Sequence, residues 1–534
     1  MTNHASCPLI YVRGFAGGTS GIDAATDDPF YGFNTGATHI RVDGDGKPQF
    51  YQFPGPLVRL IEDEDYRVLV HGGQQAFLES ADKGSLPSNS IWIYRFYDTA
   101  ADTFGKAAVP YDVLTAAEGL LSFTDLVLSK TGTAKVWLIS HSMGGLVCRS
   151  MIQKVCPDER RHAGDVVDKF FAIAAPNNGI DFAVAGMHIE VPEIAPFGTE
   201  IFNRDVMYRY LTPKDVLSAT PGRPGTWDAR DLAGSFDPTR MFCLIGTDAA
   251  DYGLVSKAVG PKSDGLVQID NAYVRNAPRS FVHRSHSGPY GEVNSEEAYQ
   301  NLRRFLFGTR KVTAELVDAQ LASPTADDVT DVWQAEVRIS IRGLPVLISE
   351  QTAAHYCPIE LGTVGPGSKD DTVTPGAGRS GVSAGAICLG SVYLLDPQDA
   401  AQMQREDLEP GTSSPRCRYF LHMSVLHLQE KHGLFFWENH LETLPEWEDA
   451  LIIDIGPSDG DTGEHLWAAW QSQNPKVTSV PDPITADWLD PDRETTAVVL
   501  AFTVELPQAG QDLLGTKAAA GSPASIRLSV QRVS

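Results

Sequence analysis

The sequence predicts a mostly parallel α/β domain followed by a domain of antiparallel strands. Three observations support this. The 534 residues exceed what one hydrophobic core usually holds. Short, unbroken apolar runs alternate with helical patterns as far as Gly308, and period-two apolar patterns follow Lys311. The expected domains are 1–311 and 312–534.

Apolar runs between helical patterns indicate the strands of the first domain. Runs of this length are typical of strands buried on both faces, as in a sheet covered by helices. The runs are LIYVRG, YRVLVHG, SIWIYRF, KVWLIS, KFFAIAAP and MFCLIGT. A capping-box-like pair, Asn294 and Glu297, and a stop at Gly308 predict the helix that closes this domain.

A long segment, 177–240, separates the last two runs. It is rich in Pro and Gly but contains apolar stretches such as FAVAGMHI. Segments this long inside a compact domain are usually functional, and a lid or substrate cap is a common use. A lid and a plain surface insertion are equally good interpretations of this pattern.

The second domain shows alternating apolar and polar residues, for example in WQAEVRISIRG, RYFLHMSVLHLQ and SIRLSVQRVS. Such strands, separated by Gly, Pro, Asp and Ser clusters, favour an antiparallel sandwich. The stretch GTVGPGSKDDTVTPGAGRSGVSAGA within it is typical of a loop. The partner and role of this domain stay open.

Composition excludes several classes of function. The chain has 43 basic and 68 acidic residues, a net charge of −25, which repels nucleic acid and anionic lipid surfaces and favours solubility. Seven cysteines without C-x-x-C spacing argue against a disulfide framework and a zinc site. No signal peptide or membrane-spanning run is evident, so a cytoplasmic location is expected, with peripheral contact with a lipid interface left open.

The strongest motif is KVWLISHSMGGLVCRSMI, which predicts a strand, a tight turn around Ser142, and a helix. In a nucleophile elbow the residues two before and two after the serine must be small, because strand and helix backbones pass close together there. Ser140 and Gly144 occupy these positions. The pattern predicts that Ser142 is a nucleophile.

A serine hydroxyl needs a base, and after an elbow of this kind the acid and then the histidine follow along the chain. His162 precedes the next strand and His188 lies in segment 177–240, so neither is well placed. The stretch SFVHRSHSGPY lies just before the closing helix. We favour His286 as the base over His283, which is closer to the apolar residues SFV.

Asp264 is the favoured acid. It lies in the turn-prone sequence SDG and precedes His286 by 22 residues. Asp248, directly after the run MFCLIGT, is the alternative, since an acid can also sit at the end of a strand.

Acyl transfer also needs donors for the oxyanion, and one of them is normally the backbone N–H after the nucleophile, here Met143. YVRGFAGG supplies the second: Gly14 permits the turn and Phe15 offers its N–H. His141 is expected to have a structural or rim role, because adjacent side chains at a sharp elbow point apart.

With these motifs, the first domain resembles the lipase branch of the α/β-hydrolases, particularly bacterial triacylglycerol lipases and inositol-deacylase-like proteins. RGFAGG matches the oxyanion loop, SHSMGG the elbow, SDGLV the acid turn and HSG the base loop. The resemblance implies Ser142, Asp264 and His286 as the triad, with Phe15 and Met143 as oxyanion donors.

The chain departs from the family at three positions. Ser140 replaces the first glycine of the elbow, and Arg13 replaces the histidine often found before the oxyanion glycine. Gly288 stands where calcium-dependent relatives often carry an aspartate, so we expect no calcium requirement and no cofactor.

The expected activity is hydrolysis of carboxylic esters, with lipid or other hydrophobic acyl esters favoured by the apolar content of segment 177–240. Phospholipase action or acyl transfer would use the same triad. A non-catalytic binding protein on a hydrolase scaffold is the alternative from another class.

Overall fold

The structure is a computed structural model. The residues that it describes are 6–14, 23–24, 26–42, 45–101, 111–184, 187–188, 199–250, 259–321, 329–364, 386–395, 417–431, 445–457, 464–473, 499–514 and 523–533. The chain separates into two compact units. The first comprises Met1–Arg279 and His283–Arg303, and the second comprises Ser280–Val282 and Arg304–Ser534.

The structure describes ten strands in residues 1–303. They are β1 (Leu9–Val12), β2 (Ala37–Val42), β3 (Pro48–Phe53), β4 (Ile91–Tyr94), β5 (Val136–His141), β6 (Val167–Ile173), β7 (Ala183–Val184), β8 (Met187–His188), β9 (Met241–Gly246) and β10 (Arg279–Val282). Six of them form one sheet in the order β10-β9-β6-β5-β1-β4, and the pairs from β9 to β4 are parallel. The carboxyl ends of these parallel strands therefore lie along one edge of the sheet.

The apolar runs become strands because both faces of the sheet are covered. All four residues of β1 and all six of β9 are buried. The run YRVLVHG is an exception: within it only Arg67 pairs, in an isolated bridge to Ser90. Val68, Leu69 and Val70 are only partly buried, so the prediction of a strand there was wrong.

Seven helices are described in the first part of the chain. They are α1 (Pro56–Glu64), α2 (Gln74–Ser80), α3 (Val113–Thr131), α4 (Met143–Ser150), α5 (Arg204–Leu211), α6 (Lys214–Ala219) and α7 (Glu296–Phe307). Asp112 caps α3 by accepting a hydrogen bond from the Thr115 N–H, and Gly132 ends it in the left-handed conformation. The helix α4 continues as a π-helical turn, Met151–Val155, and a final turn, Cys156–Asp158.

The closing helix exists as predicted, but its start differs. Ser295, and not Asn294, accepts the hydrogen bond from the Ala298 N–H at 3.1 Å. Asn294 instead donates its side-chain N–H to the Gly32 carbonyl. The capping residue is one position later than predicted, because a serine and an asparagine, both good capping residues, are adjacent in the sequence.

Segment 177–240 contains β7, β8, α5 and α6, and its residues 185–186 and 189–198 lie outside the described part. Arg149 of α4 fastens the segment near both ends. Its buried guanidinium donates hydrogen bonds to the backbone carbonyls of Asn177 and Ala229 and to the side chain of Gln153. The segment is thus tied to the helix that follows Ser142.

The second unit contains two antiparallel sheets. Its elements are β11 (Arg310–Val317), β12 (Val329–Ile341), β13 (Leu347–Gln351), β14 (Ile359–Val364), β15 (Ile387–Leu394), β16 (Cys417–Lys431), β17 (Trp447–Pro457), β18 (Glu464–Trp470), β19 (Val499–Glu505), α8 (Gln508–Leu514) and β20 (Ser525–Arg532). One sheet has the order β15-β11-β20-β19 and the other β13-β12-β16-β17-β18, with β14 also on β12. Alternate side chains of both sheets share one hydrophobic core, as in a sandwich.

The predicted fold class, a parallel α/β domain followed by a β domain, is confirmed. Of the predicted Gly-rich loop, residues 365–385 lie outside the described part. None of the helices that the structure describes has the length and apolar character needed to cross a bilayer.

Candidate active site

Ser142 lies in the turn between β5 and α4, with φ 54° and ψ −128°. This backbone conformation is strained for a residue with a side chain, and such strain persists only where the surroundings enforce it. Here the Ser142 N–H donates to the Ile173 carbonyl of β6 at 2.8 Å. The turn places the serine at the edge of the sheet where the parallel strands end.

Close packing explains the small residues around Ser142. A Cβ on Gly144 would lie 2.3 Å from the Val12 carbonyl oxygen and 2.4 Å from the Arg13 carbonyl oxygen. A Cβ on Gly145 would lie 2.6 Å from the Ala175 Cβ. Ser140, which replaces the first glycine of the motif, is fully buried, so its small side chain fits without opening the turn.

The three predicted triad residues lie together. The Ser142 Oγ is 2.9 Å from the His286 Nε2, and the His286 Nδ1 is 2.8 Å from the Asp264 Oδ2. All three are nearly inaccessible, at 3%, 2% and 1% exposure in the order Ser142, His286, Asp264. The polar groups of these three side chains therefore have their hydrogen-bond partners in the protein and not in bulk water.

The acid turn orients the Asp264 carboxylate. Its Oδ1 accepts hydrogen bonds from the backbone N–H groups of Leu266 at 2.9 Å and Val267 at 2.7 Å. This leaves Oδ2 for His286, whose own backbone N–H donates to the Asp264 carbonyl at 2.8 Å. The turn SDGLV thus fixes both the carboxylate and the backbone of the histidine.

The alternative acid and base are placed elsewhere. Asp248, after β9, is partly exposed and accepts a hydrogen bond from the Ala250 N–H. His283 is exposed directly after β10, with its Nδ1 3.4 Å from the Thr247 Oγ1. His162 caps the short helix Ala163–Asp165 and His188 lies in β8.

The two predicted oxyanion donors are only partly described. Met143, the first residue of α4, follows Ser142 directly, whereas Phe15 lies outside the described residues. Its neighbour Gly14 is described and packs against the elbow: a Cβ there would lie 2.6 Å from the Ser142 Cβ and 2.9 Å from the His141 carbonyl oxygen. The chain after β1 thus leaves the sheet directly beside Ser142.

His141 contacts the backbone of His286, the predicted base. Its Nε2 lies 3.0 Å from the His286 carbonyl oxygen, so the Nε2–H donates, and the two ring centroids are 5.1 Å apart. Burial, and then His286, lower the pKa of His141 to about 3. The imidazole is neutral at neutral pH and supports the loop that carries His286.

Glu292 is a carboxyl group beside the predicted triad that none of the sequence motifs indicated. It is fully buried, and burial first, then the charge of Asp264, raise its pKa well above the ordinary value. The glutamate lies six residues after His286, in HSGPYGE, and this proximity is the signal that could have identified it.

The arrangement can perform nucleophilic chemistry. An imidazole activates a serine hydroxyl by accepting its proton, and a carboxylate holds the imidazole in place. Ser142, His286 and Asp264 supply these three groups in line. Among the residues described, no three His, Cys, Asp or Glu side chains are placed to hold a metal ion.

No protein-family model matches the sequence, and no curated protein matches it either. Solved structures are similar at low identity. A lipase from Bacillus licheniformis is 13% identical over 54% of this chain and 88% of its own, with a TM-score of 0.27. Aspergillus fumigatus lipase B is 15% identical over 53% of this chain and 45% of its own, with a TM-score of 0.24. Phospholipase PlaB from Legionella pneumophila is 11% identical over 82% of this chain and 91% of its own, with a TM-score of 0.30.

The assignment of the fold rests on the strand order and on the turn at Ser142. A parallel sheet covered by helices, with a serine in a strained strand–turn–helix element at the carboxyl end of its strand, is the architecture of one superfamily. The first unit has the α/β-hydrolase fold, as the resemblance seen in the sequence implies.

Proposed function

We propose that the protein is a serine hydrolase that cleaves carboxylic esters, with Ser142 as nucleophile, His286 as general base and Asp264 as the acid. The observation that carries this proposal is the continuous hydrogen-bond chain from the Ser142 Oγ through His286 to Asp264. It starts at a strained turn of the type that presents nucleophiles in this fold.

In the first half of the reaction, the His286 Nε2 accepts the hydroxyl proton as the Ser142 Oγ attacks the ester carbonyl carbon. Negative charge develops on the carbonyl oxygen. The Met143 backbone N–H stabilises this oxyanion, and the Phe15 N–H is proposed as the second donor. The protonated His286 then gives its proton to the leaving alkoxide, and the alcohol departs from the acyl-enzyme.

In the second half, His286 removes a proton from a water molecule, which attacks the acyl carbonyl. Collapse of the second tetrahedral intermediate returns the proton to Ser142 and releases the carboxylic acid. Asp264 stabilises the imidazolium that forms in each half and fixes the tautomer with its proton on Nδ1. The two backbone amides on the Oδ1 of Asp264 keep the carboxylate in place.

We propose a hydrophobic acyl ester as the substrate. Segment 177–240 contains apolar stretches and lies in the chain between two strands of the sheet, β6 and β9. Arg149 ties it to α4. Apolar side chains suit an acyl chain better than a sugar, so we propose that this segment binds the acyl group.

The test is hydrolysis of p-nitrophenyl esters from acetate to palmitate by the wild type, Ser142→Ala and His286→Ala. His283→Ala is the matched control, because this exposed histidine lies close in sequence to the base. We expect the first two variants to lose activity while folding normally, and His283→Ala to retain it. Inactivity of the wild type on every ester, without labelling by a fluorophosphonate, would favour a binding protein on this scaffold.

A further inference from the structure

The base loop, residues 284–292, is closed on itself. The Glu292 N–H donates to the Ser285 carbonyl at 2.8 Å, and the Ser285 N–H donates to the Tyr290 carbonyl at 3.3 Å. His286 lies near the start of the loop and Glu292 at its end. The Glu292 side chain, fully buried, turns back toward the triad acid.

The end of β9 shows how tightly this carboxyl group is packed. A Cβ on Gly246 would lie 2.6 Å from the Glu292 Oε1 and 2.8 Å from the Asp264 Cβ. The absence of a side chain at Gly246 therefore leaves the space in which Glu292 and Asp264 meet. A side chain at this position would separate the two carboxyl groups or displace the base loop.

The two carboxyl groups differ in their hydrogen-bond donors. Asp264 accepts from two backbone amides and from His286. Neither oxygen of Glu292 receives a well-aligned hydrogen bond from an N–H or O–H group of the described residues. Two adjacent buried carboxyls do not both ionise readily, so the group with donors carries the charge and the other carries the proton.

The charged surroundings of Glu292 are simple. Asp264, on the SDGLV turn between β9 and β10, is the titratable group that interacts with Glu292, and His286 of the base loop lies on the other side of Asp264. The backbone N–H of Gly246 interacts with the Glu292 carboxyl and lowers its pKa, but burial and Asp264 act in the opposite direction and outweigh it. No cationic side chain is among the groups that act on the Glu292 carboxyl within the described residues.

We propose that Glu292 is a positioning residue for the triad: as a neutral acid it donates its proton in a hydrogen bond to Asp264, which orients the Asp264 carboxylate and closes the base loop. The proposal rests on the proposed function of Ser142, His286 and Asp264. The Asp264 carboxylate has a lone pair available, because its two oxygens accept three hydrogen bonds from other groups.

Kinetics of two variants test the positioning role. Glu292→Gln keeps the shape and an N–H donor, so its kcat should stay within about threefold of the wild type. Glu292→Ala removes the donor and the packing. Its kcat should fall by about 10- to 100-fold, with KM nearly unchanged, because a small displacement of the triad affects the chemical step. A Glu292→Ala variant that folds and keeps the wild-type kcat would overturn the proposal.

The pH profile separates a neutral Glu292 from a charged one. A second carboxylate near His286 would raise the pKa of the imidazole, and its removal would lower that pKa. If Glu292 is neutral, the acid limb of kcat/KM in Glu292→Gln coincides with that of the wild type. A shift of this limb to lower pH by about one unit or more would show that Glu292 is charged and would contradict the proposal.

Infrared difference spectroscopy at neutral pH gives a readout that does not depend on ester hydrolysis. The carbonyl band of a protonated carboxylic acid should be present in the wild type and lost in Glu292→Gln. Glu297→Gln is the control, because Glu297 is ion-paired with Arg284 at 3.0 Å and should contribute no such band. Persistence of the band in Glu292→Gln would reject the neutral acid even if no ester is cleaved, while its loss in an inactive protein would reject only the proposed function.

Discussion

His141 donates a hydrogen bond from its Nε2 to the backbone carbonyl of His286, so the residue before the proposed nucleophile supports the proposed base. The two residues are 145 positions apart in the sequence. The contact joins the elbow to the base loop through a neutral side chain.

Loss of this hydrogen bond should slow catalysis. His141→Phe keeps an aromatic ring but removes the donor, which leaves the His286 carbonyl unsatisfied. We expect kcat/KM for a p-nitrophenyl ester to fall by about 10-fold, corresponding to a hydrogen bond worth about 1.4 kcal/mol. Unchanged kinetics in a folded variant would show that the base loop does not need this contact.

His141 should also contribute to acid unfolding. Its folded pKa of about 3 lies below the unfolded value of about 6.5, so the unfolded state binds more protons between these limits. Stability is therefore lost as the pH falls from about 6.5 toward 3, by up to about 1.4 kcal/mol per pH unit from this group.

The comparison that isolates this effect is the pH dependence of the denaturation midpoint in the wild type and His141→Phe. The decline with acid should be shallower in the variant, since no imidazole remains to be protonated on unfolding. An equal slope would mean that His141 is protonated in the folded protein at the same pH as in the unfolded chain.

Asp264 and Asp248 can be distinguished by matched substitutions. Asp264→Asn should reduce kcat by about 10⁴-fold, because an amide cannot hold the His286 tautomer that leaves Nε2 free to accept a proton. Asp248→Asn, at a partly exposed position, should leave kcat unchanged. Ester hydrolysis under saturating substrate measures both, and the opposite result would make Asp248 the acid.

Glycine at position 144 should be needed for stability. Gly144→Ala places a methyl group 2.3 Å from the Val12 carbonyl oxygen, where β1 and α4 meet. We expect a loss of about 1–3 kcal/mol, seen as a lower melting temperature in calorimetry. Gly222→Ala is the control, because a Cβ there meets nothing within 4 Å. Equal melting temperatures for the two variants would contradict close packing at the elbow.

The sequence was most informative where structure is local. The turn at Ser142 depends on a strand, small neighbours and a helix that are contiguous in the chain, and the SDG sequence around Asp264 likewise encodes its own turn. The run YRVLVHG was misinterpreted, because apolar content alone does not tell whether a helix layer covers both faces.

Contacts between distant segments could not be predicted in the same way. Glu292 meets Asp264 only after the base loop has closed beside β9, and His141 meets the carbonyl of His286 only when the elbow and the loop are in place. Neither contact follows from a motif or a periodic pattern, since both depend on tertiary packing. The first carries the proposed positioning role of Glu292, and the second supports the loop that contains His286.

The hydrogen bonds from Arg149 restrict how segment 177–240 can be displaced. Its guanidinium has only neutral acceptors in its hydrogen bonds, and burial lowers its pKa to about 10. Asn177 and Ala229 are therefore held to α4 through buried hydrogen bonds, and so is Tyr210, whose backbone carbonyl accepts a hydrogen bond from Ser150 of the same helix. Displacing the segment at any of these three points would break a buried hydrogen bond to the helix that begins directly after Ser142.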